Sequence, residues 1–112
     1  MTDIETNESQ EYEYAELLSA VKLVLRRPAE EDDFDDEIKD LIEACLIDLG
    51  IAGVDGPSAV SSNPAIVQAV KTYCKAHFGF VERDLYERLK MAYDEQKAQL
   101  SMSDGFTRWI RA

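Results

Sequence analysis

Apolar residues recur at intervals of three and four along four stretches of this chain, and each stretch predicts an amphipathic helix. Leu17, Leu18, Val21, Val24 and Leu25 make one face of a first helix from about Tyr14 to Arg27. Arg26 and Arg27 complement the negative end of its dipole, and Pro28 blocks its continuation. The second stripe is Ile38, Leu41, Ile42, Cys45, Leu46 and Leu49, a helix over about 34–49 that Gly50 is placed to end. The acids from Glu30 to Glu37 crowd its positive end and are expected to supply side-chain oxygens to the unpaired amides there.

Asn63-Pro64 is a strong start signal, an N-cap followed by proline at the first helical position. The third helix, over about 64–78, is expected to bury Ile66, Val70, Tyr73, Cys74 and His77, with Gly79 as its stop. A fourth, over about 83–101, carries Leu85, Leu89, Ala92, Tyr93, Gln96 and Leu100 on one side and charge on the other. No segment alternates with period two over a useful length, so the pattern predicts an all-α bundle of four helices without a sheet.

The remaining segments are polar or rich in turn residues. Residues 1–13 are acidic with almost no apolar content and are expected to form a disordered arm. Residues 14–102 make the helical domain, and 103–112 a short aromatic tail after the turn Ser103-Asp104-Gly105. The Gly, Pro and Ser loop from Ile51 to Ser62 is the one connection long enough to be mobile. At 112 residues there is length for one modest core. No apolar run is long enough to span a bilayer, and Met1-Thr2-Asp3-Ile4-Glu5 is unlike a signal peptide. A soluble, cytosolically made protein is expected, with Cys45 and Cys74 as buried reduced thiols rather than a disulfide.

Charge alters this picture. The net charge is −11, but residues 1–63 hold 17 acids against 4 bases, whereas residues 64–112 hold 6 acids against 8 bases. An acidic field of this size repels phosphates and disfavours sequence reading of DNA. Lys71, Lys75, Arg83, Arg88 and Lys90, interleaved with Tyr73, Phe78, Phe80 and Tyr86, could still touch nucleic acid. The blander expectation is that these bases pair with acids of the first half, within a molecule or between copies.

Candidate chemistry is sparse. A calcium loop needs glycine at position 6 and glutamate at position 12. Starting at Glu31 these are Asp36 and Ile42, and starting at Asp33 they are Ile38 and Ala44, so both registers fail. Cys74 and His77 have a zinc-compatible spacing, yet two further ligands are required and Cys45 is the one obvious thiol. As a nucleophile and base the same pair would lie on a core-facing side, where a thiol is inert. There is no glycine-rich phosphate loop and no nucleophile elbow. No enzymatic activity, metal or cofactor is expected.

Some apolar residues lie on the wrong side of their helices. At 100° per residue Leu23, Ile47 and Met91 fall opposite the apolar stripes of the first, second and fourth helices. Together with Phe106, Arg108, Trp109 and Ile110 of the tail they are candidate interface residues.

The third helix, Asn63-Pro64-Ala65-Ile66-Val67-Gln68-Ala69-Val70-Lys71-Thr72-Tyr73-Cys74-Lys75-Ala76-His77-Phe78-Gly79, resembles the corresponding helix of tailed-phage head–tail connector proteins. The fourth resembles its successor through Leu85, Tyr93, Lys97, Leu100, Ser101 and Met102. The acidic cap before Ile38-Lys39-Asp40-Leu41-Ile42-Glu43-Ala44-Cys45, with Gly50-Ile51-Ala52-Gly53-Val54 after that helix, is similar as well. The resemblance spans about residues 15–107 and leaves the acidic arm without a counterpart. It implies a head-completion adaptor of the virion, without a cofactor. Such an adaptor forms a homo-oligomeric, dodecameric ring beneath the portal protein and meets a tail-completion or stopper protein. DNA passes through its lumen without sequence-specific binding, and no membrane is involved. The alternative reading is a small nucleic-acid-associated regulator that uses the basic C-terminal half.

Overall fold

A computed structural model describes residues 12–51, 60 and 63–101. Four α-helices follow in order: α1 (Ala15–Val24), α2 (Asp35–Asp48), α3 (Pro64–His77) and α4 (Arg83–Ser101). The architecture is all-α, and there is no strand among the described residues.

The core is built where the stripes of α1, α2 and α3 meet. Leu17 and Val21 of α1, Ile38, Ile42, Cys45 and Leu46 of α2, and Ile66, Val70 and Cys74 of α3 are almost wholly excluded from solvent. Burying one such aliphatic side chain contributes about 1.5–3 kcal/mol. α3 packs against each of the other three helices. It does so with a second face of small residues, Ala69, Thr72 and Ala76, all buried alongside its large apolar stripe. The Thr72 hydroxyl in that row is satisfied by donating to the Gln68 carbonyl at 3.0 Å. The sequence pattern of large residues does not reveal this second face.

Two helix ends share one geometry. Gly50 has φ +80°, its N–H donates to the Ile47 carbonyl, and the Ile51 N–H donates back to Leu46, the paired bonds of a Schellman cap. The end of α1 is capped in the same way, with Arg26 N–H to Leu23 and Arg27 N–H to Lys22, but the left-handed residue is Arg26 at φ +62°. α1 therefore stops at Val24, short of the Arg27 expected from sequence. Glycine is the usual signal for such a cap, and none is present.

At the start of α2 the acids act differently from the expectation. Phe34 is the N-cap residue and no side chain caps the amides, although Asp35, Asp36 and Glu37 still face the positive helix end. Asp35 is drawn instead to Lys22, whose Nζ lies 2.9 Å from its carboxylate. That ammonium is buried and also donates to the carbonyls of Ala29 and Glu31, so one cation organises the α1–α2 connection. Arg27 adds a two-pronged pair to Glu31 and lies over the Phe34 ring.

The start of α3 follows the sequence closely. Asn63 Oδ1 accepts from the amides of Ala65 and Ile66, with Pro64 in the first turn. Its end does not follow as closely, because His77 is exposed rather than buried. Its ring rests between Tyr73 and Tyr86 at the lip of the helix. Leu85, expected on the buried side of α4, is 37% exposed, and of that helix's 19 residues Tyr93 and Leu100 are the buried ones. Most of α4 is thus left open to solvent or to a partner.

Candidate functional site

The outward faces of the helices carry the features that a binding protein would use. Leu23 is 78% exposed on α1, Ile47 67% on α2 and Met91 71% on α4. The helical spacing places them there, and the fold leaves them on three separate helices. Phe80, in the turn between α3 and α4, is 94% exposed; the sequence places it among the aromatics of the basic stretch but not among the outward apolar residues, since a turn has no stripe to be opposite to. Phe106, Arg108, Trp109 and Ile110 lie outside the described residues, as do residues 52–59 and 61–62 of the long loop.

Of the segment 1–13, Tyr12 and Glu13 are described. Tyr12 donates a 2.9 Å hydrogen bond to Glu43, meets Tyr14 edge-on, and lies under the Lys39 ammonium. Burial, reinforced by Glu43, holds the Tyr12 phenol protonated well above the ordinary tyrosine range. These contacts hold Tyr12 against α2.

A groove between α3 and α4, about 270 Å³ in volume, is walled by Tyr73, His77, Tyr86 and Tyr93, with Asp48, Lys90 and Lys97 at its edges. The polar floor is a relay across helices. The Tyr93 hydroxyl donates to Asp48 Oδ2 at 2.6 Å, Lys97 reaches the same oxygen at 3.1 Å, and the Cys45 thiol lies 3.7 Å from Tyr93 Oη. The Tyr93 bond, with Lys97 adding, holds the Asp48 carboxyl below the usual carboxylate range. Burial and the Asp48 acceptor push the Tyr93 phenol far up. Groups held this firmly in one protonation state hold α2 to α4 rather than exchange protons near neutral pH.

The cysteines are free and buried. Burial pushes the Cys45 thiol up to about 12 and raises Cys74 as well, the reverse of an activated nucleophile. Cys74 is enclosed while His77 is exposed, so the zinc-compatible spacing does not bring the two to one site. Among the described residues no group of three or more His, Cys, Asp or Glu is placed to hold a metal ion, and no helix is long and apolar enough to cross a membrane.

The bases of the second half are divided. Arg83 and Lys90 pair along α4 with Glu87 and Asp94, at 3.5 and 3.3 Å. Among the described residues Lys97 is the one base of the second half that pairs with an acid of the first half, Asp48. Lys71 and Lys75 on α3 form no ion pair with a described residue.

Comparison with known proteins adds one finding. A family model described as phage connector protein matches residues 17–106, a span that takes in α1 from Leu17 onward and the whole of α2, α3 and α4. No curated protein and no solved structure matches the chain.

Proposed function

We propose, from the premise that this chain belongs to the phage connector protein family, that it is the adaptor subunit docking beneath the portal and carrying the DNA channel on toward the tail. Its general role is that of a head–tail connector. The adaptor works as a virion structural protein rather than a catalyst, as a closed ring of copies, dodecameric as in the resemblance, between the portal and a tail-completion or stopper protein. The observation that carries this reading is the matched span together with four amphipathic helices whose outward faces keep Leu23, Ile47 and Met91 in solvent.

The physics of such a ring suits the charge. Repeating a −11 subunit around an axis gives a lumen or rim that repels the DNA backbone, so DNA slides without being held. In a ring each subunit meets its neighbours through two different surfaces, and the remaining faces are free for portal and tail. Leu23, Ile47 and Met91 are assigned to these contacts, with Phe106, Arg108, Trp109 and Ile110 docking on the portal or a neighbouring subunit. The loop Gly53–Asn63 takes its place against the same partners.

Deleting residues 105–112 tests the assignment. The shortened chain is expected to keep its helical circular dichroism and melting temperature while failing to attach to portal-bearing heads. Joined particles at normal yield would remove the tail from the interface. The nucleic-acid regulator has less support, since two of its five bases are already tied to acids along α4.

A further inference from the structure

Uncompensated charge of opposite sign is laid out on two different helices in matching rows. On α2 the outward row is Asp36, Asp40, Glu43 and Ile47, all exposed. On α3 it is Pro64, Gln68, Lys71 and Lys75, of which all but the half-exposed Lys71 are open to solvent. Both rows step by four, three and four residues, so each is a straight ridge roughly 16 Å long on its helix. In the acidic row Glu43 accepts from Tyr12, and Asp36 and Asp40 have no partner among the described residues. The lysines of the basic row are likewise unpaired among them. The outward acids of α4 differ, because Glu87 and Asp94 are matched by Arg83 and Lys90 on the same helix.

We infer that the acidic row of α2 on one copy packs antiparallel against the basic row of α3 on the next copy. The inference rests on the ring reading above and names the surfaces through which neighbours meet. Laid antiparallel, the rows set Asp36 against Lys75, Asp40 against Lys71, Glu43 against Gln68 and exposed Ile47 against Pro64. The parallel arrangement would place Lys75 on Ile47 and Asp36 on Pro64, leaving both charges without a partner. The two rows belong to different helices of one molecule. In the ring reading each copy offers one row to one neighbour and receives the other from a second, a heterologous contact that runs from copy to copy. Charge complementarity of this kind fixes register and excludes wrong partners more than it adds affinity.

The test uses the full chain with cysteines at uncharged positions, one beside the acidic row and one within the basic row, leaving the charges in place. Ala44 and Gln68 are both exposed, and the native thiols are buried. An A44C protein mixed with a Q68C protein under mild oxidation is expected to form the mixed disulfide at least about fivefold faster than A44C with M91C. Adding K71E and K75E to the Q68C protein should abolish that preference. Adding D36K and D40K to the A44C partner should restore it. Equal rates for the two pairings, or a preference that survives K71E/K75E, would overturn the contact. Head–tail joining in infected cells is scored separately, so failure of this contact and failure of the connector role are different results.

Discussion

Tyr93 reaches from the middle of α4 to Asp48 at the end of α2 and donates a 2.6 Å hydrogen bond to its carboxylate, while Lys97, one turn further on, holds the same oxygen at 3.1 Å. α4 otherwise packs mainly on α3, so this pair ties the most exposed helix to the far side of the core. Tyr93→Phe keeps the ring and removes the hydroxyl. It is expected to lower stability by about 1 kcal/mol, the screened value for a bond to a half-exposed carboxylate. Urea unfolding of both proteins at neutral pH checks it.

The same pair sets a pH dependence. Asp48 has its folded pKa lowered, so its contribution is present above the unfolded carboxylate range, about 4, and is lost as pH falls through the lower folded value. Tyr93 has its folded pKa raised, so its contribution is present below about 10 and is lost as pH climbs beyond that. The gap between wild type and Tyr93→Phe should therefore be widest between these limits and close toward both ends. Denaturant midpoints across that range measure it, and a gap that does not vary with pH would contradict the relay.

Arg26 adopts a left-handed conformation that glycine adopts without strain. Arg26→Gly is expected to stabilise the protein by roughly 0.5–1 kcal/mol, with the end of α1 unchanged. A rise in melting temperature on differential scanning calorimetry is the expected sign.

Lys22 is the reverse case, a buried ammonium whose partners are Asp35 and two backbone carbonyls. Lys22→Met leaves those acceptors without their shared donor and should destabilise by about 2–3 kcal/mol. Hydrogen exchange would show the α1–α2 connection opening first.

Much of the fold was legible because large apolar residues mark the inner faces and Asn63-Pro64 marks a helix start. The boundaries of α3 and α4 lie within a residue of those read from the pattern. The end of α1 was not legible, since an arginine takes a role that glycine would have advertised. His77 shares the angular position of core residues, which is why the pattern places it inside, but it is the last residue of α3 and its ring lies exposed between Tyr73 and Tyr86. The small-residue face of α3 and the Tyr93–Asp48 bond were hidden for a common reason. Both depend on where α4 docks, and neither alanines nor a tyrosine announce a neighbour from a distant helix. The outward positions of Leu23, Ile47 and Met91 needed only the helical period.

The thiols give a direct check on the core. With Cys45 and Cys74 buried and their pKa values raised, the native protein should react with Ellman's reagent at pH 8 only through unfolding. Both thiols are expected to become reactive in denaturant. Rapid labelling of either in the native state would contradict the packing described.

A head–tail connector is indispensable where phage heads meet tails, and electron microscopy of lysates from infections in which its gene carries a nonsense mutation reads that role. Portal-bearing heads and complete tails are expected to accumulate side by side without being joined, with joining restored when the purified chain is added. Intact tailed particles at wild-type yield in its absence would contradict that role.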